Sequence, residues 1–250
     1  MENLFVPLTQ VLVILSTVAM LWLTQVGIYQ SLMNYGKPPA KSKKISWYVV
    51  LGLFLWLSIL GLVASFGFFQ KGDVLPPRVI WAVLPSVILI VVLLFSKSFS
   101  KFLQSVPSSW LVYVQSFRIV VEIILWLAFL GGLLPFQMTF EGFNYDIIAG
   151  LTAIIAGFVF FGKNRYRRFE AIIWNISGLA LLMNIIVIAI LSIPGPLRIF
   201  MNEPSNQIMA YFPYIWIPGF FVPYALAMHL FSLKQLILKQ ERGRNFTLRK

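Results

Sequence analysis

The sequence predicts an all-α polytopic membrane protein of seven transmembrane helices, with its N-terminus outside and its C-terminus inside. Three observations carry this: a composition suited to hydrocarbon, seven apolar stretches of helical length, and Lys and Arg crowded into alternate loops. Hydrophobic residues are 59% of the 250 and charged residues 11%, with a mean hydropathy of +0.85. A soluble domain of this size carries about a quarter charged residues.

An apolar stretch of about 20 residues crosses a bilayer as a helix. The first, residues 7–30, has no Lys or Arg before it and exceeds the length of a signal-peptide core, so it is expected to be retained. On it, Gln10, Thr17, Thr24 and Ser31 recur every seven residues and share one face. They serve either as interhelical hydrogen-bonding groups or as the lining of an aqueous cavity. Residues 46–69 form the second segment, after the loop NYGKPPAKSKK; Gly61 and Ser65 mark close packing. The third, 78–95, contains Pro85, which kinks a helix and frees a carbonyl for a neighbour to satisfy.

The fourth segment, 108–134, contains QSFRIVVEIILW and so places Arg118 and Glu122 within an apolar helix. At about 100° per residue, Gln115, Arg118 and Glu122 share one narrow face. That face must point into the bundle, since each charge costs about 2.5–3.5 kcal/mol at mid-membrane. Residues 145–162 form a short fifth segment, with Ala149, Ala153 and Gly157 at spacings of four as a close-packing face. The loop before it, PFQMTFEGFNYDI, reads as an external, solvated acidic loop, and neither Asp73 nor Asp146 is expected to be deep. The sixth segment covers 171–193. The seventh, 214–233, holds Pro218, Gly219 and Pro223 ahead of Tyr224 and His229, and is expected to be broken or bent. Bent helices of this kind occur at transporter sites and as packing elements. The single membrane domain is placed at 1–236 and a basic cytoplasmic tail at 237–250.

Orientation follows from charge. Sixteen Lys and Arg fall in loops one, three and five and the tail, three fall in the other loops, and Arg118 lies within a helix. Basic residues stay on the cytoplasmic side, which accounts for the net charge of +12 without a nucleic-acid partner. The expected location is the inner (plasma) membrane, with the lipid bilayer as principal partner; oligomeric state is left open.

Cysteine is absent, which excludes disulfides, thiolate catalysis and iron–sulfur clusters. One histidine excludes bis-histidine haem. With no nucleophile–base set, His-Glu-x-x-His stretch or phosphate-cradling glycine loop, no enzyme activity and no cofactor are expected. From residue 109 into the fifth segment the chain resembles uncharacterised bacterial multi-pass membrane proteins, a likeness that implies no activity. Its topology is similar to that of SWEET-type sugar transporters, without their Pro-Gln pair. The deep last-helix lysine of microbial rhodopsins is absent.

Two functions fit these residues. One is a small permease for a polar or anionic solute, in which Arg118 holds the ligand and Glu122 is counter-ion or proton carrier. Gln115, Thr17, Thr24 and Tyr224 would line the path. The other is a seven-helix receptor or scaffold that binds an apolar ligand or partner protein, in which Arg118 and Glu122 form a dry i, i+4 ion pair.

Overall fold

The computed structural model describes residues 4–71, 74–162 and 165–247. Asp73 and Lys163, and the last three residues of the expected tail, lie outside them. Among the described residues the chain is helical and has no strand. The helices are α1 (Phe5–Asn34), α2 (Pro39–Ser65), α3 (Ile80–Phe95), α4 (Lys97–Leu103), α5 (Ser108–Leu130), α6 (Ile147–Phe161), α7 (Arg168–Leu191) and α8 (Val222–Thr247). A short 3₁₀ turn, Val114–Ser116, interrupts α5, and a π-helical turn, Ile217–Phe221, leads into α8.

Five of these helices are long and apolar enough to cross a membrane, and a sixth span results if α3 and α4, bent by 83° at their junction, are counted together. α6, with 15 residues, is shorter; at about 1.5 Å per residue it covers roughly 22 Å of a hydrocarbon core about 30 Å thick. α5 and α8 are central, about half buried over their apolar windows, whereas α1 and α2 are 28% and 22% buried. The outer helices show Trp22, Phe54, Val92, Ile155 and Val187 outward. A helix apolar on every side is stable only in a packed core or in lipid.

The α3–α4 bend comes from Ser96. Its backbone is extended and its hydroxyl accepts the Phe99 N–H at 3.2 Å, ending one helix and capping the next. The sequence reading treats this stretch as loop, yet it has helical periodicity: Phe99, Phe102 and Leu103 on one face, Lys97 and Lys101 on the other. The carbonyl of Leu94, near the end of α3, accepts a hydrogen bond from Lys234 Nζ. Buried Gln235 completes the clamp, donating through Nε2 to the carbonyls of Leu103 (2.6 Å) and Val106 (2.7 Å) and accepting from Ser108 Oγ (2.6 Å).

The expected domain limit at 236 corresponds to no break in the backbone, since α8 continues to Thr247. At the opposite end of the bundle, the segments before α6 and before α8 fold inward. Buried Gln137 donates to Ser192 Oγ at 2.9 Å and accepts from Asn202 Nδ2 at 2.8 Å. Exposed Glu203 accepts from Arg198, which holds its carboxyl below the usual range, and a second hydrogen bond from the Ser205 N–H helps.

Gln235→Leu removes the two hydrogen bonds from its Nε2, which takes the side-chain donor from the buried Val106 carbonyl and leaves Leu103 with only the Val106 N–H. The expected loss is about 1–3 kcal/mol, or several degrees in a detergent thermal melt. An unchanged Tm would show that Gln235 does not hold the bend.

Candidate functional site

The polar centre is built on α5. Arg118 is 1% exposed and lies about 15 Å from the Ser108 end and about 18 Å from the Leu130 end of a 23-residue helix. Its guanidinium takes Asp146 in a bidentate grip: Nε donates to Oδ2 at 2.6 Å and Nη2 donates to Oδ1. Nη1 donates to His229 Nε2 at 2.9 Å and Nη2 also reaches the Gly178 carbonyl at 3.3 Å. Arginine has donors and no acceptor, so His229 Nε2 must be the bare nitrogen and Nδ1 carries the proton. That proton points to Asn175 Oδ1 at 3.0 Å. Asn175 in turn donates to the Ala171 carbonyl (2.7 Å) and to Ser232 Oγ (3.0 Å).

Glu122 sits on the same face of α5, equally buried. Its hydrogen bond comes from Asn144 Nδ2 at 2.6 Å, and Asn144 also donates to the Met138 carbonyl while its Oδ1 accepts the Asp146 N–H. Asn144 therefore joins the two carboxylates into one network.

This arrangement corrects two expectations. The cation on α5 is paired with Asp146, not with Glu122 one turn along. A carboxylate at the start of a neighbouring helix can meet the planar fork edge-on with both oxygens, which gives the strong bidentate geometry. Among the described residues Glu122 makes no salt bridge. The loop expected to be solvated instead enters the bundle, with Gln137, Thr139, Asn144 and Asp146 all buried and Glu141 outside. This inward course leaves α6 its short length.

Two glycines make the approach feasible. A Cβ on Gly150 would lie 2.9 Å from the Ile119 nitrogen and 3.3 Å from Arg118 Cβ, and one on Gly178 would collide with the His229 ring. Ala149, Ala153 and Gly157 act as the packing face their spacing suggested, with Gly157 against Tyr113.

The other predicted site residues separate. Gln115 donates to the Ala225 carbonyl at 3.0 Å, while its Oε1, buried, has no hydrogen-bond partner. Thr17 is turned back on its own helix, donating to the Val13 carbonyl at 2.7 Å. Thr24 and Tyr224 meet at 3.0 Å on the wall of a different feature.

That feature is an apolar cleft of about 420 Å³ bounded by α1, α2, the α3–α4–α5 bend and α8. α1 packs on α2 and α3 packs on α8, whereas α2 and α3 make little contact with each other. The cleft therefore faces outward between α2 and α3, past Val49 and Leu89, both exposed. Its deep end is closed by a polar tie. Pro223 lacks the N–H that the Gly219 carbonyl would receive in a regular helix, and that carbonyl instead accepts from Trp56 Nε1 (3.1 Å) and Ser86 Oγ (3.4 Å). Two further clefts of similar volume, at the Gln70–Gln207 and Gln10–Glu203 surfaces, are more polar. None of the three is lined by Arg118, Glu122 or Asp146.

The chain belongs to the family described as Domain of unknown function (DUF8737), which it matches over residues 76–237. No curated protein and no solved structure matches it. The matched segment takes in α3 to α7 and most of α8, hence the whole Arg118 network, and leaves out α1 and α2.

Asp146→Leu should strand the Arg118 charge and destabilise the protein by about 3–5 kcal/mol. Arg118→Met combined with Asp146→Leu should recover much of that loss in the same melt. A double variant no more stable than the single one would show that the pair is not the interaction at stake.

Proposed function

We propose that this member of the DUF8737 family is an integral protein of the inner (plasma) membrane that binds a lipid-like apolar ligand in the cleft between α2 and α3. Seven spans fit it: the five long helices, the bent α3–α4 pair and the short α6. The N-terminus is outside and the C-terminus inside. The orientation rests on charge, since the α1–α2 connection with the start of α2, α4, the approach to α7 and the C-terminal tail together hold sixteen of the twenty basic residues.

The observation that carries the binding reading is the character of the cleft. About 420 Å³ falls within the range of about 300–1,000 Å³ typical of small-molecule sites. Its walls are mainly Leu, Ile, Val and Phe side chains, and, Trp110 Nε1 aside, the polar side chains along it are already partnered: Thr24 with Tyr224, Trp56 and Ser86 with Gly219, and Ser31 with the Gly27 carbonyl. An apolar chain can enter without leaving any of them unsatisfied. Arg118, by contrast, is enclosed by four acceptors on Asp146, His229 and Gly178, an arrangement suited to holding helices together. The permease reading requires water at Arg118, and Arg118 lines none of the three clefts described.

Two measurements test the proposal. Leu89→Trp narrows the slot and should lower retention of a fluorescent fatty-acyl probe by the detergent-purified protein at least about tenfold, with Tm preserved. Unchanged retention would remove the cleft from ligand binding, and solute uptake into proteoliposomes that Glu122→Gln abolishes would restore the permease reading. For orientation, the absence of cysteine is useful. A cysteine at Asn202 should react with an impermeant maleimide on intact cells, and one at Lys43 should react after permeabilisation; the reverse pattern would invert the topology.

A further inference from the structure

We infer that the cleft selects an anionic phospholipid, admitted sideways from the leaflet on the basic side, with its headgroup phosphate held by Lys41, Lys97 and Lys101. This rests on the reading of the cleft as a lipid-chain site and adds the chemistry of the headgroup.

The slot has two unlike ends. On α2 the wall is the stripe Ile45, Val49, Leu53 and Trp56, spaced by three and four residues and so on one face. One turn before Ile45, the same face ends on Lys41, which is exposed. On α3 the wall is Ser86, Leu89, Ile90 and Leu93, and the next turn is the Ser96 bend followed at once by Lys97. α4 then turns across this end of the slot. Phe99, Phe102 and Leu103 line the cleft, while Lys97 and Lys101 are exposed on the opposite face of α4, at the level of the headgroups rather than in the slot itself. The far end is shut by the Trp56 and Ser86 hydrogen bonds to Gly219. An amphiphile therefore has one orientation available, chain inward and headgroup at the lysines.

Length agrees. Ile45 to Trp56 spans roughly 16 Å of helix rise, close to half of a hydrocarbon core about 30 Å thick. The slot is thus one leaflet deep.

Charge agrees as well. Between Glu2 and Glu122 the sequence has one acidic residue, Asp73, in the connection at the other end of α2 and α3. Of the six lysines on these two connections, Lys37 and Lys44 lie over the rings of Tyr35 and Tyr48. Lys41, Lys43, Lys97 and Lys101 have no side-chain hydrogen bond, ion pair or ring contact among the described residues; of these, Lys41 continues the α2 stripe, and Lys97 and Lys101 lie on the helix that crosses the end of the slot. Lys234, the next cation along, is engaged by the Leu94 carbonyl.

The test uses the full chain in nanodiscs of equimolar phosphatidylglycerol and phosphatidylcholine with identical acyl chains, followed by native mass spectrometry of retained lipid. Each lysine near an anionic headgroup contributes about a fivefold preference. The wild type should retain phosphatidylglycerol over phosphatidylcholine by about tenfold or more. The triple variant Lys41→Gln, Lys97→Gln and Lys101→Gln should still retain lipid but bring the ratio close to one. A control triple with the same charge loss, Lys37→Gln, Lys43→Gln and Lys44→Gln, should keep most of the preference. Leu89→Trp should lose both lipids together. Equal loss in the two triples would overturn the headgroup site in favour of diffuse surface charge, and so would a wild-type ratio near one with lipid retained. No retained lipid of either kind would instead overturn the cleft as a lipid-chain site.

Discussion

Arg118 presents five N–H donors from a side chain that is almost wholly buried. Everything around it follows from supplying acceptors. Both oxygens of Asp146 come from the start of α6, an imidazole nitrogen from α8 and the Gly178 carbonyl from α7. Four helices are thereby set against one another by one side chain. The acceptors cannot be exchanged freely, because each has its own support: Asn144 holds Asp146 through the backbone, and Asn175 fixes the His229 tautomer. A buried ion pair contributes little net stability against an apolar replacement. What it supplies here is register, since sliding α6 by a turn would leave the Arg118 charge unpaired and sliding α8 would remove its imidazole acceptor.

The same constraint explains features that otherwise look unrelated. α6 is short because its first turn must begin beside Arg118, near the middle of α5, and the preceding loop therefore enters the bundle with its own polar side chains satisfied. Gly150 and Gly178 lie at the two closest approaches. On the far side of α8 the chain meets a second demand, the carbonyl that Pro223 leaves free at Gly219, and meets it through Trp56 and Ser86. These two hydrogen bonds join α2 and α3 to α8 at one level and leave them apart at another. The cleft is the gap between those levels.

Much of this could be read from residue order. The apolar stretches located the long helices and α6 but not α4, whose Phe/Lys periodicity after Ser96 sits in a stretch too polar to stand out, and the α5 face carrying Gln115, Arg118 and Glu122 is buried as its spacing requires. The partner of Arg118 could not be read in the same way. An i, i+4 carboxylate on the same helix is visible in one dimension, whereas Asp146 lies 28 positions away in a segment whose composition resembles a solvated loop. The clues were an Asp and an Asn just before an apolar helix with small residues at spacings of four, because a helix that approaches so closely brings its first-turn carboxylate with it. His229 was visible as a lone imidazole, but its pairing depends on how α8 is rotated, and the π-helical turn alters that rotation. Thr17 and Thr24 share a face of α1 yet serve different ends, since a hydroxyl can always return to its own helix when nothing faces it.

The two interior regions differ in what it costs to open them. Parting Arg118 from Asp146 exposes two charges and breaks several hydrogen bonds at once, and nothing apolar could compensate for them. Parting α2 from α3 along the slot breaks no hydrogen bond made directly between them among the described residues, and at the closed end it costs at most the Trp56 or Ser86 bond to Gly219. A membrane protein that must admit something while keeping its helices in register needs both properties in separate places. The hydrogen-bonded centre on α5 and the apolar slot beside it are two such places, one costly to open and the other lined by hydrocarbon on both walls.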